Sequence, residues 1–393
     1  MQAIVRQKLK QQSTPTPLIV TEQRGGVEVI EQLTAEWRML CAGGPSAQPF
    51  FQPEWIAAHV RAFASDKSLV VFTARRQEKL CAVLPLIAEL TTLHGIPVRK
   101  LRSPSNVHSC RFDLVAGAEE GEEAVQAIWQ ALQRKSDWDV IELLDVPEGG
   151  LGEQLLRFAA AARYQGGQWE RPPGAYLSLS APDLQSQEPL QAVTSSKLRK
   201  SLRYYRRKLE EQGTLRFRRI TVDHQQSLER FYQLESAGWK GQAGTAISCA
   251  KETRQFYDEI ARTATRLGQF TLYSLELNGH PIAMQYGLAY DRRFHLLKPA
   301  YDENFREYSP GHLLTYEVLS DLIAREQQEY DFMSPQSEWK SRWAKAVRAQ
   351  SHVYIFRRSV TGHVLHAWKF RVLLRARQMK RNYQAKASQG AVL

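Results

Sequence analysis

Apolar residues follow two periods along the chain, and these periods predict helices interleaved with strands. Apolar positions three and four residues apart, often behind a proline or serine that suits a first turn, indicate helices. Short apolar runs bounded by turn residues indicate strands. A chain in which the two alternate favours a mixed α/β or α+β fold built on sheets. The predicted helices cover 30–40, 53–64, 120–135, 152–164, 195–212, 228–239, 252–267 and 311–325, and the predicted strands cover 68–74, 80–90, 140–144, 176–179, 215–220, 270–277, 281–290, 294–299 and 330–333.

The second half of the chain repeats the order of elements of the first, so we predict two copies of one architecture. The polar, proline-flanked segment 182–189 connects them, and Asn278-Gly279 marks a tight hairpin in the second copy. No residue-level repeat accompanies the repeated order. The predicted divisions are a flexible tail over 1–17, a first domain over 18–185, a second domain over 186–356 and a basic helical tail over 357–393.

Composition restricts the class of protein. With 43% hydrophobic and 24% charged residues over 393 positions, the chain has a globular composition and enough length for two or three domains. Its 4 cysteines lie far apart without a CxxC pair, and the grouping of His94, His108 and Cys110 fits no common zinc spacing. No apolar run approaches the ~18 residues of a membrane span, and no secretory signal opens the sequence. We therefore expect a cytoplasmic protein that holds no metal.

Positive charge is concentrated in the second half of the chain. The formal net charge is +12. Residues 1–190 carry 19 basic and 22 acidic side chains, whereas residues 191–393 carry 34 basic and 19 acidic ones, a net of +15. Such an excess suits a phosphate-bearing cofactor, a nucleic acid or an anionic membrane surface. A solvated basic face without a partner is the alternative.

The densest part of this charge is the predicted helix that begins near Ser195. Residues 197–208 include 7 cations, and Tyr204 and Tyr205 among them are compatible with stacking on RNA bases without requiring it. We predict an apolar stripe on one face and a largely solvent-facing basic surface on the other. The stripe consists of Leu198, Leu202, Tyr205 and Leu209, and the basic surface of Arg199, Lys200, Arg203, Arg206 and Arg207.

The segment Ser309-Pro310-Gly311-His312-Leu313 follows a predicted strand and opens a predicted helix. Proline and glycine here leave the first helical N–H groups uncovered. A helix N-terminus of this kind binds phosphate through its N–H groups and the positive end of its dipole. Ser-Pro-Gly is also a common turn and N-cap, so the motif alone leaves both interpretations open.

The order of motifs between residues 270 and 343 resembles the GNAT acyltransferase superfamily. Within it, the sequence is most similar to the branch of the CelD-type acetyltransferases of cellulose biosynthesis, which is related to the Fem-type aminoacyl transferases. The resemblance covers roughly residues 45–350. One departure is Ser334-Pro335, which stands where the family has a glycine and would reshape the acceptor side. The matching segments are Trp239, 309–314, Asp331-Phe332 and 339–343 in the second half, and 49–55, 83–86 and 137–139 in the first.

The resemblance implies tandem GNAT-like folds, with an acyl-CoA site in the second copy and a degenerate first copy that shapes the acceptor cleft. It implies that Ser309, Pro310, Gly311, His312 and Leu313 hold the coenzyme A pyrophosphate, and that backbone N–H groups of strand 283–288 polarise the thioester. The implied activity is acyl transfer from acyl-CoA to an amine, in the biosynthesis of cell-surface polysaccharide or envelope.

Acyl transfer to an amine requires a base, a polarised carbonyl and a proton for the leaving thiolate. Asp331 and Glu338 are the candidate bases, with His295 and His312 as alternatives. Tyr286 is the first candidate acid, beside Tyr290 and Tyr301, and Trp239, Lys340 and Arg342 are candidate substrate contacts. Asp331 also fits a structural carboxylate that holds the edge of its strand, and Lys340 and Arg342 also fit a solvated basic face.

Two other functions stay open at this point. A Fem-type transferase would take its acyl group from aminoacyl-tRNA and use the basic half of the chain to bind it. A non-catalytic GNAT-like scaffold would have no affinity for coenzyme A. The tail after Phe356 predicts a basic amphipathic helix around 368–375, which either packs on the second domain or lies peripherally on an anionic inner-membrane surface or in a biosynthetic complex.

Overall fold

The computed structural model describes residues 16–180, 190–191, 194–222 and 224–374. Most of the expected flexible tail and the whole expected connection over 182–189 lie outside these residues. None of the helices in the described part of the chain is long and apolar enough to cross a membrane.

The first of two mixed sheets is built mainly by the first half of the chain. Its strand order is β1-β2-β3-β4-β6-β15-β7, and β5 pairs with β3. All neighbours are antiparallel except β4 and β6. The strands are β1 (Ile19–Gly25), β2 (Ser68–Arg76), β3 (Lys79–Leu93), β4 (Ile96–Arg102), β5 (Val115–Ala116), β6 (Val140–Pro147), β7 (Gln165–Glu170) and β15 (Gln350–Phe356), and the helices of this half are α1 (Glu28–Leu40), α2 (Pro53–Phe63), α3 (Gly121–Arg134) and α4 (Leu151–Ala161).

The second sheet follows the same plan. Its order is β14-β8-β13-β12-β11-β10-β9, and its one parallel pair is β12 with β13. The strands are β8 (Gly174–Ser178), β9 (Leu215–Ile220), β10 (Phe270–Leu277), β11 (His280–Tyr290), β12 (Arg293–Tyr301), β13 (Glu329–Pro335) and β14 (Ala346–Arg348). The helices of this half and of the tail are α5 (Ser196–Glu210), α6 (His224–Ala237), α7 (Trp239–Gln242), α8 (Lys251–Arg266), α9 (Pro310–Ala324), α10 (Glu338–Ser341) and α11 (Val360–Ala367).

The two sheets exchange one strand each. β8 comes from the first half of the chain but lies between β13 and β14 in the second sheet. β15 comes from the second half but lies between β6 and β7 in the first sheet. The predicted strand 176–179 was expected to complete the first half, and the structure instead places it in the second sheet. The domain limits at 185 and 356 stay a prediction, with a strand of each half completing the sheet of the other.

The described elements confirm most of the helices and strands expected from periodicity. Asn278 and Gly279 both have a positive φ, 53° and 82°, as the tight hairpin between β10 and β11 requires. The helix expected near Ser195 is α5, and the Ser195 hydroxyl accepts a hydrogen bond from the Leu198 N–H at 3.1 Å as its N-cap. Strands β1, β4, β5, β7, β14 and β15 were not predicted.

The halves share a hydrophobic core. One cluster of buried side chains includes residues of the first half together with α6, α8 and one face of the second sheet. At its centre α2 packs against α8, where the rings of Trp55 and Phe256 meet edge to face with centroids 5.1 Å apart. The first half therefore packs directly against the second domain and buries part of its core.

Candidate functional site

The second sheet opens where its parallel strands diverge. β12 and β13 pair only from Arg293 to His295 and from Glu329 to Asp331, and the strands separate beyond these residues. A cleft of about 680 Å3 lies here, between the end of β12, the start of α9, the start of α10 and the junction of α6 with α7. This volume is within the range of about 300–1,000 Å3 for small-molecule sites.

The start of α9 forms one wall of the cleft and offers a backbone donor. Ser309 adopts the left-handed conformation with φ 49°, and Pro310 occupies the first helical position, where its missing N–H costs nothing. The N–H groups of His312 and Leu313 bond to the Ser309 carbonyl. Among the described residues no acceptor pairs with the Gly311 N–H, and a Cβ on Gly311 would meet open space. The helix thus presents an uncovered donor at its positive end.

Two arginines lie along the same cleft. Arg342 is half exposed and is 3.8 Å from Glu338. Arg306 is exposed, and it has no ion-pair partner among the described residues. The cleft's lysine, Lys240, is already neutralised, since its ammonium is 2.9 Å from the Glu235 carboxylate and donates to the Pro299 carbonyl at 2.7 Å. The charge left for a ligand at the α9 end is therefore positive.

His312 faces the cleft as a neutral imidazole. Its Nδ1 accepts a hydrogen bond from the Trp343 indole N–H at 2.9 Å. Burial, and then the charge of Arg342, lower the pKa of His312 to about 4. A neutral ring that accepts at Nδ1 carries its proton at Nε2. His312 is thus arranged as a hydrogen-bond donor, which does not suit the role of a base.

The structure does not bring Asp331 to this cleft. Its side chain is fully buried, and its Oδ2 lies 2.6 Å from Arg111 and 2.8 Å from Arg348. Burial alone would raise the pKa of Asp331, but the Arg111 charge and the nearby His295 hold it below its usual value. The carboxylate is occupied by ion pairs, which favours the structural interpretation of this residue.

Tyr286 and Lys340 also point away from the cleft. Tyr286 is fully buried, and burial raises the pKa of its hydroxyl well above the usual value, so it is a poor proton donor. The Lys340 ammonium donates to the Ser334 hydroxyl at 2.5 Å and to the Pro335 carbonyl at 2.7 Å, and burial lowers its pKa to about 8. Lys340 thereby holds the Ser334-Pro335 segment against α10.

The remaining predicted site residues do line the cleft. Trp239 is 56% exposed at its rim, and its backbone N–H donates to Glu303 at 2.8 Å. Glu338 lies at the same rim with an almost fully exposed carboxylate. Ser309, Pro310, Gly311 and His312 line it, whereas the Leu313 side chain is buried beneath it. Their roles stay predictions, but the structure brings these residues together.

The strand 283–288, whose N–H groups were expected to polarise the thioester, is not at an open edge of the sheet. This stretch belongs to β11, which pairs with β10 on one side and with β12 on the other. The unpaired sheet edge at the cleft belongs instead to β12 beyond His295, where β13 has diverged. Tyr290, an alternative acid, lies elsewhere and accepts from Gln52 at 2.7 Å. His295 is buried with neither ring nitrogen bonded among the described residues.

Sequence reasoning missed the contacts by which the first half meets the second domain. Arg111 lies in the segment between β4 and α3, next to the buried Asp331 of β13. In the same segment His108 lies 3.4 Å from the Tyr257 hydroxyl, and the Lys298 ammonium lies over the Tyr257 ring. No local pattern identifies such contacts, because their partners are more than 140 residues apart. Arg306, by contrast, could have been identified from the sequence, because it lies three residues before the Ser-Pro-Gly segment.

The basic helix α5 is largely as expected. Leu198, Leu202 and Leu209 are buried against the second domain. Of the expected solvent-facing cations, Lys200, Arg203 and Arg207 are exposed. Arg199 is partly buried and donates to the carbonyl of Gln191, and Arg206 is paired with Glu317 on α9 at 2.5 Å. α5 is therefore fixed to α9, with its exposed charge on the outer side.

Comparison with known families and structures supports this description. Residues 196–341 match the family model of the Acetyltransferase (GNAT) domain, a stretch that runs from α5 to α10 and includes the cleft except for Arg342. The sequence has no match among curated proteins. Within the described residues no group of three His, Cys, Asp or Glu side chains is placed to hold a metal ion.

Solved structures show the same fold over most of the chain. FemX has a TM-score of 0.57 at 10% identity and covers 88% of this chain and 100% of its own. The C-terminal domain (DUF2156) of a protein described as a lysylphosphatidylglycerol synthetase, from Agrobacterium fabrum, has a TM-score of 0.52 at 14% identity, with 86% and 95% covered. A tandem GNAT protein from the clavulanic acid biosynthesis pathway has a TM-score of 0.45 at 13% identity, with 86% and 98% covered. At these identities the likeness to the first two structures concerns the fold alone, and a TM-score of 0.45 is too low to establish a shared fold.

The structure and these comparisons confirm the predicted fold class. The chain has a mixed α/β fold of the GNAT acetyltransferase type, with two sheets of one plan in tandem. Placement in the CelD-type branch stays a prediction.

Proposed function

We propose that this protein is an acyltransferase that takes its acyl group from acyl-CoA and transfers it to an amine. The observation that carries the proposal is the uncovered N–H of Gly311 at the start of α9, in a cleft that also holds Arg306 and Arg342. The pyrophosphate of coenzyme A is the anionic group that such a helix end and two cations would bind. The diverging strands then leave room for the thioester arm along β12.

The reaction proposed for the cleft is a displacement at the thioester carbonyl. The acceptor nitrogen forms a bond to the carbonyl carbon, and the bond from that carbon to sulfur breaks. The amine loses one proton to a base, and the leaving thiolate takes up a proton. Of the two carboxylates predicted as base, we propose Glu338, because it lies at the rim of the cleft whereas Asp331 is buried in ion pairs.

His312 supports this proposal as a donor. The ring lines the cleft, and its Nε2 carries the proton because Nδ1 accepts from Trp343. A preorganised donor of this kind stabilises negative charge that develops on an oxygen during acyl transfer. Since its pKa is about 4, the ring stays neutral, and this donor is unchanged, across the physiological pH range.

The acceptor class rests on the sequence resemblance. We propose an amine on a cell-surface saccharide, its precursor or an envelope component, as in the CelD-type proteins that the motifs resemble. The first half contacts the second domain through Arg111 and His108, and we propose that it shapes the acceptor side as a degenerate copy.

The second candidate function is acyl transfer from aminoacyl-tRNA instead of acyl-CoA. The sequence resembles Fem-type transferases, which take their acyl group from aminoacyl-tRNA, and the exposed Lys200, Arg203 and Arg207 of α5 would suit a nucleic-acid backbone. This candidate predicts that RNA co-purifies with the protein and that salt releases it. A non-catalytic scaffold predicts that neither ligand binds.

Calorimetric titration of the full chain with acetyl-CoA tests the proposal. Arg306→Glu removes a charge-assisted contact worth about 1.5–3 kcal/mol, so we expect binding to weaken roughly ten- to hundredfold. The control is Arg216→Glu, which makes the same charge change on β9, at the far edge of the same sheet. Equal affinity of the two variants would contradict the assignment of the pyrophosphate, and absence of binding to wild type would contradict the use of acyl-CoA.

A further inference from the structure

The helix that follows the last strand carries a row of exposed apolar side chains. α11 continues into a π-helical turn over Trp368–Leu373. Side chains four residues apart lie on one face of a helix. The wider π turn keeps Val372 near the face that carries Val360, Val364 and Trp368. We call this row the outer stripe: Val360, Val364, Trp368 and Val372, exposed by 83%, 49%, 44% and 46%.

The opposite face of the same helix is fixed to the first sheet. Leu365 is buried, and the Phe370 ring packs against Tyr354 and Phe356 of β15. The backbone of α11 approaches Arg357 so closely that a Cβ on Gly362 would collide with its carbonyl. Because the inner face is packed in this way, the outer stripe is held outward and does not belong to an unfinished core.

A neighbouring hairpin lies beside the outer stripe. The His94 ring, in the turn between β3 and β4, lies 5.6 Å from the Trp368 ring. In the same hairpin Leu90 is 85% exposed. A row of exposed apolar side chains along one helix face is unusual on a surface that stays in water, and it indicates an interaction site.

The charge around the stripe defines the partner. Residues 357–374, which include the stripe, contain 4 Lys and Arg and no Asp or Glu. Arg358 and Arg371, beside the stripe, are exposed, and the ammonium of Lys369 lies 3.7 Å from the centroid of the Tyr354 ring. A second copy of the chain would bring these like charges face to face, whereas an anionic bilayer would attract them.

We propose that the outer stripe docks on the surface of an anionic lipid bilayer. Valine and tryptophan side chains would enter the boundary between headgroups and acyl chains, and the flanking arginines would contact anionic headgroups. An aromatic residue beside cations suits this boundary, where one side is apolar and the other is wet. This inference does not depend on the donor used by the cleft.

Co-flotation of the full chain with vesicles tests the proposal. We expect the protein to float with vesicles of equal parts phosphatidylcholine and phosphatidylglycerol, and to bind at least about tenfold more weakly to phosphatidylcholine alone. Added salt should weaken this binding without abolishing it, because the apolar contacts are not screened.

Matched substitutions identify the surface. Val364→Asp should weaken binding at least about tenfold, because it places a charge in the apolar contact. Val347→Asp, at 47% exposure on β14, makes the same change elsewhere and should leave vesicle binding as in wild type. Thermal melts of both variants check that each is folded.

Three outcomes would overturn the inference. The first is failure to float with either vesicle. The second is equal binding of Val364→Asp and wild type, which would assign the contact to another basic surface such as α5. The third is a dimer in sedimentation that Val364→Asp dissolves, which would make the stripe an interface between copies of the chain.

Discussion

The ion pair between Arg111 and Asp331 predicts how strongly the first half is tied to the second sheet. Both side chains are buried, at 4% and 0% exposure, and Arg111 also donates to Gln48 at 3.1 Å. Arg111→Met should destabilise the fold, because it leaves the Asp331 carboxylate buried with one cation fewer. Breaking a buried pair costs about 3–5 kcal/mol. Arg348 still contacts Asp331 and is partly exposed, so we expect about 3 kcal/mol, the lower end.

The assay is urea unfolding followed by circular dichroism. The control is Arg99→Met, which breaks the pair with Asp139 at the surface, where Arg99 is 46% exposed, and should cost at most about 1 kcal/mol. The double variant Arg111→Met, Asp331→Asn should recover part of the loss, because the unpaired charge is then gone.

The pH dependence gives a second readout of the same pair. The pKa of Asp331 is lower in the folded protein than in the unfolded chain, so its contribution to stability is present above the unfolded pKa of about 4 and is lost as the pH falls through the folded value. The difference between wild type and Arg111→Met should therefore shrink in acid. A loss below about 1 kcal/mol at neutral pH would refute the reasoning, since it would place the pair in the range of exposed ion pairs.

Two further predictions concern buried titratable groups. Lys340 has its pKa lowered to about 8, so between that pH and the unfolded value of about 10.4 the unfolded chain binds the extra proton and the free energy of unfolding rises with pH. Lys340→Met should remove this rise in urea titrations over the alkaline range, and an unchanged slope would contradict the burial of the ammonium. His295→Phe should leave stability unchanged or raise it by up to about 1 kcal/mol, because neither ring nitrogen is bonded among the described residues. His59→Phe is the contrast, since its Nδ1 is 3.1 Å from Ser109 and its loss should cost about 1 kcal/mol or more; equal effects in both would refute this distinction.

Periodicity predicted the elements that bury one clear face, and missed those whose burial depends on distant partners. α8 and the hairpin of β10 and β11 have strong local patterns and were found. β1 and β7 were missed because they are edge strands of mostly polar residues, which show little apolar periodicity. β15 was missed for another reason: its position between β6 and β7 depends on a pairing with segments about 200 residues earlier.

The candidate site likewise contains residues that a local sequence pattern identifies and residues that it does not. The Ser309 to Leu313 segment could be found because a helix start is a local feature of sequence. Asp331 could not be separated from a catalytic carboxylate, since its partner Arg111 lies 220 residues away. The exchange of β8 and β15 also has no local sequence signal, because each strand pairs with segments more than 150 residues away.

The most direct test of the donor site is a calorimetric titration with acetyl-CoA of wild type beside Gly311→Trp. Gly311 has an ordinary φ and open space at its Cβ, so tryptophan is accommodated by the fold and fills the cleft at the uncovered N–H. The control is Gly121→Trp at the start of α3, the matching helix of the first half, where a Cβ meets only a Leu151 methyl at 3.8 Å. We predict that wild type and Gly121→Trp bind acetyl-CoA and that Gly311→Trp does not. Unchanged affinity in Gly311→Trp, with the protein folded, would contradict the central claim that the start of α9 holds the donor.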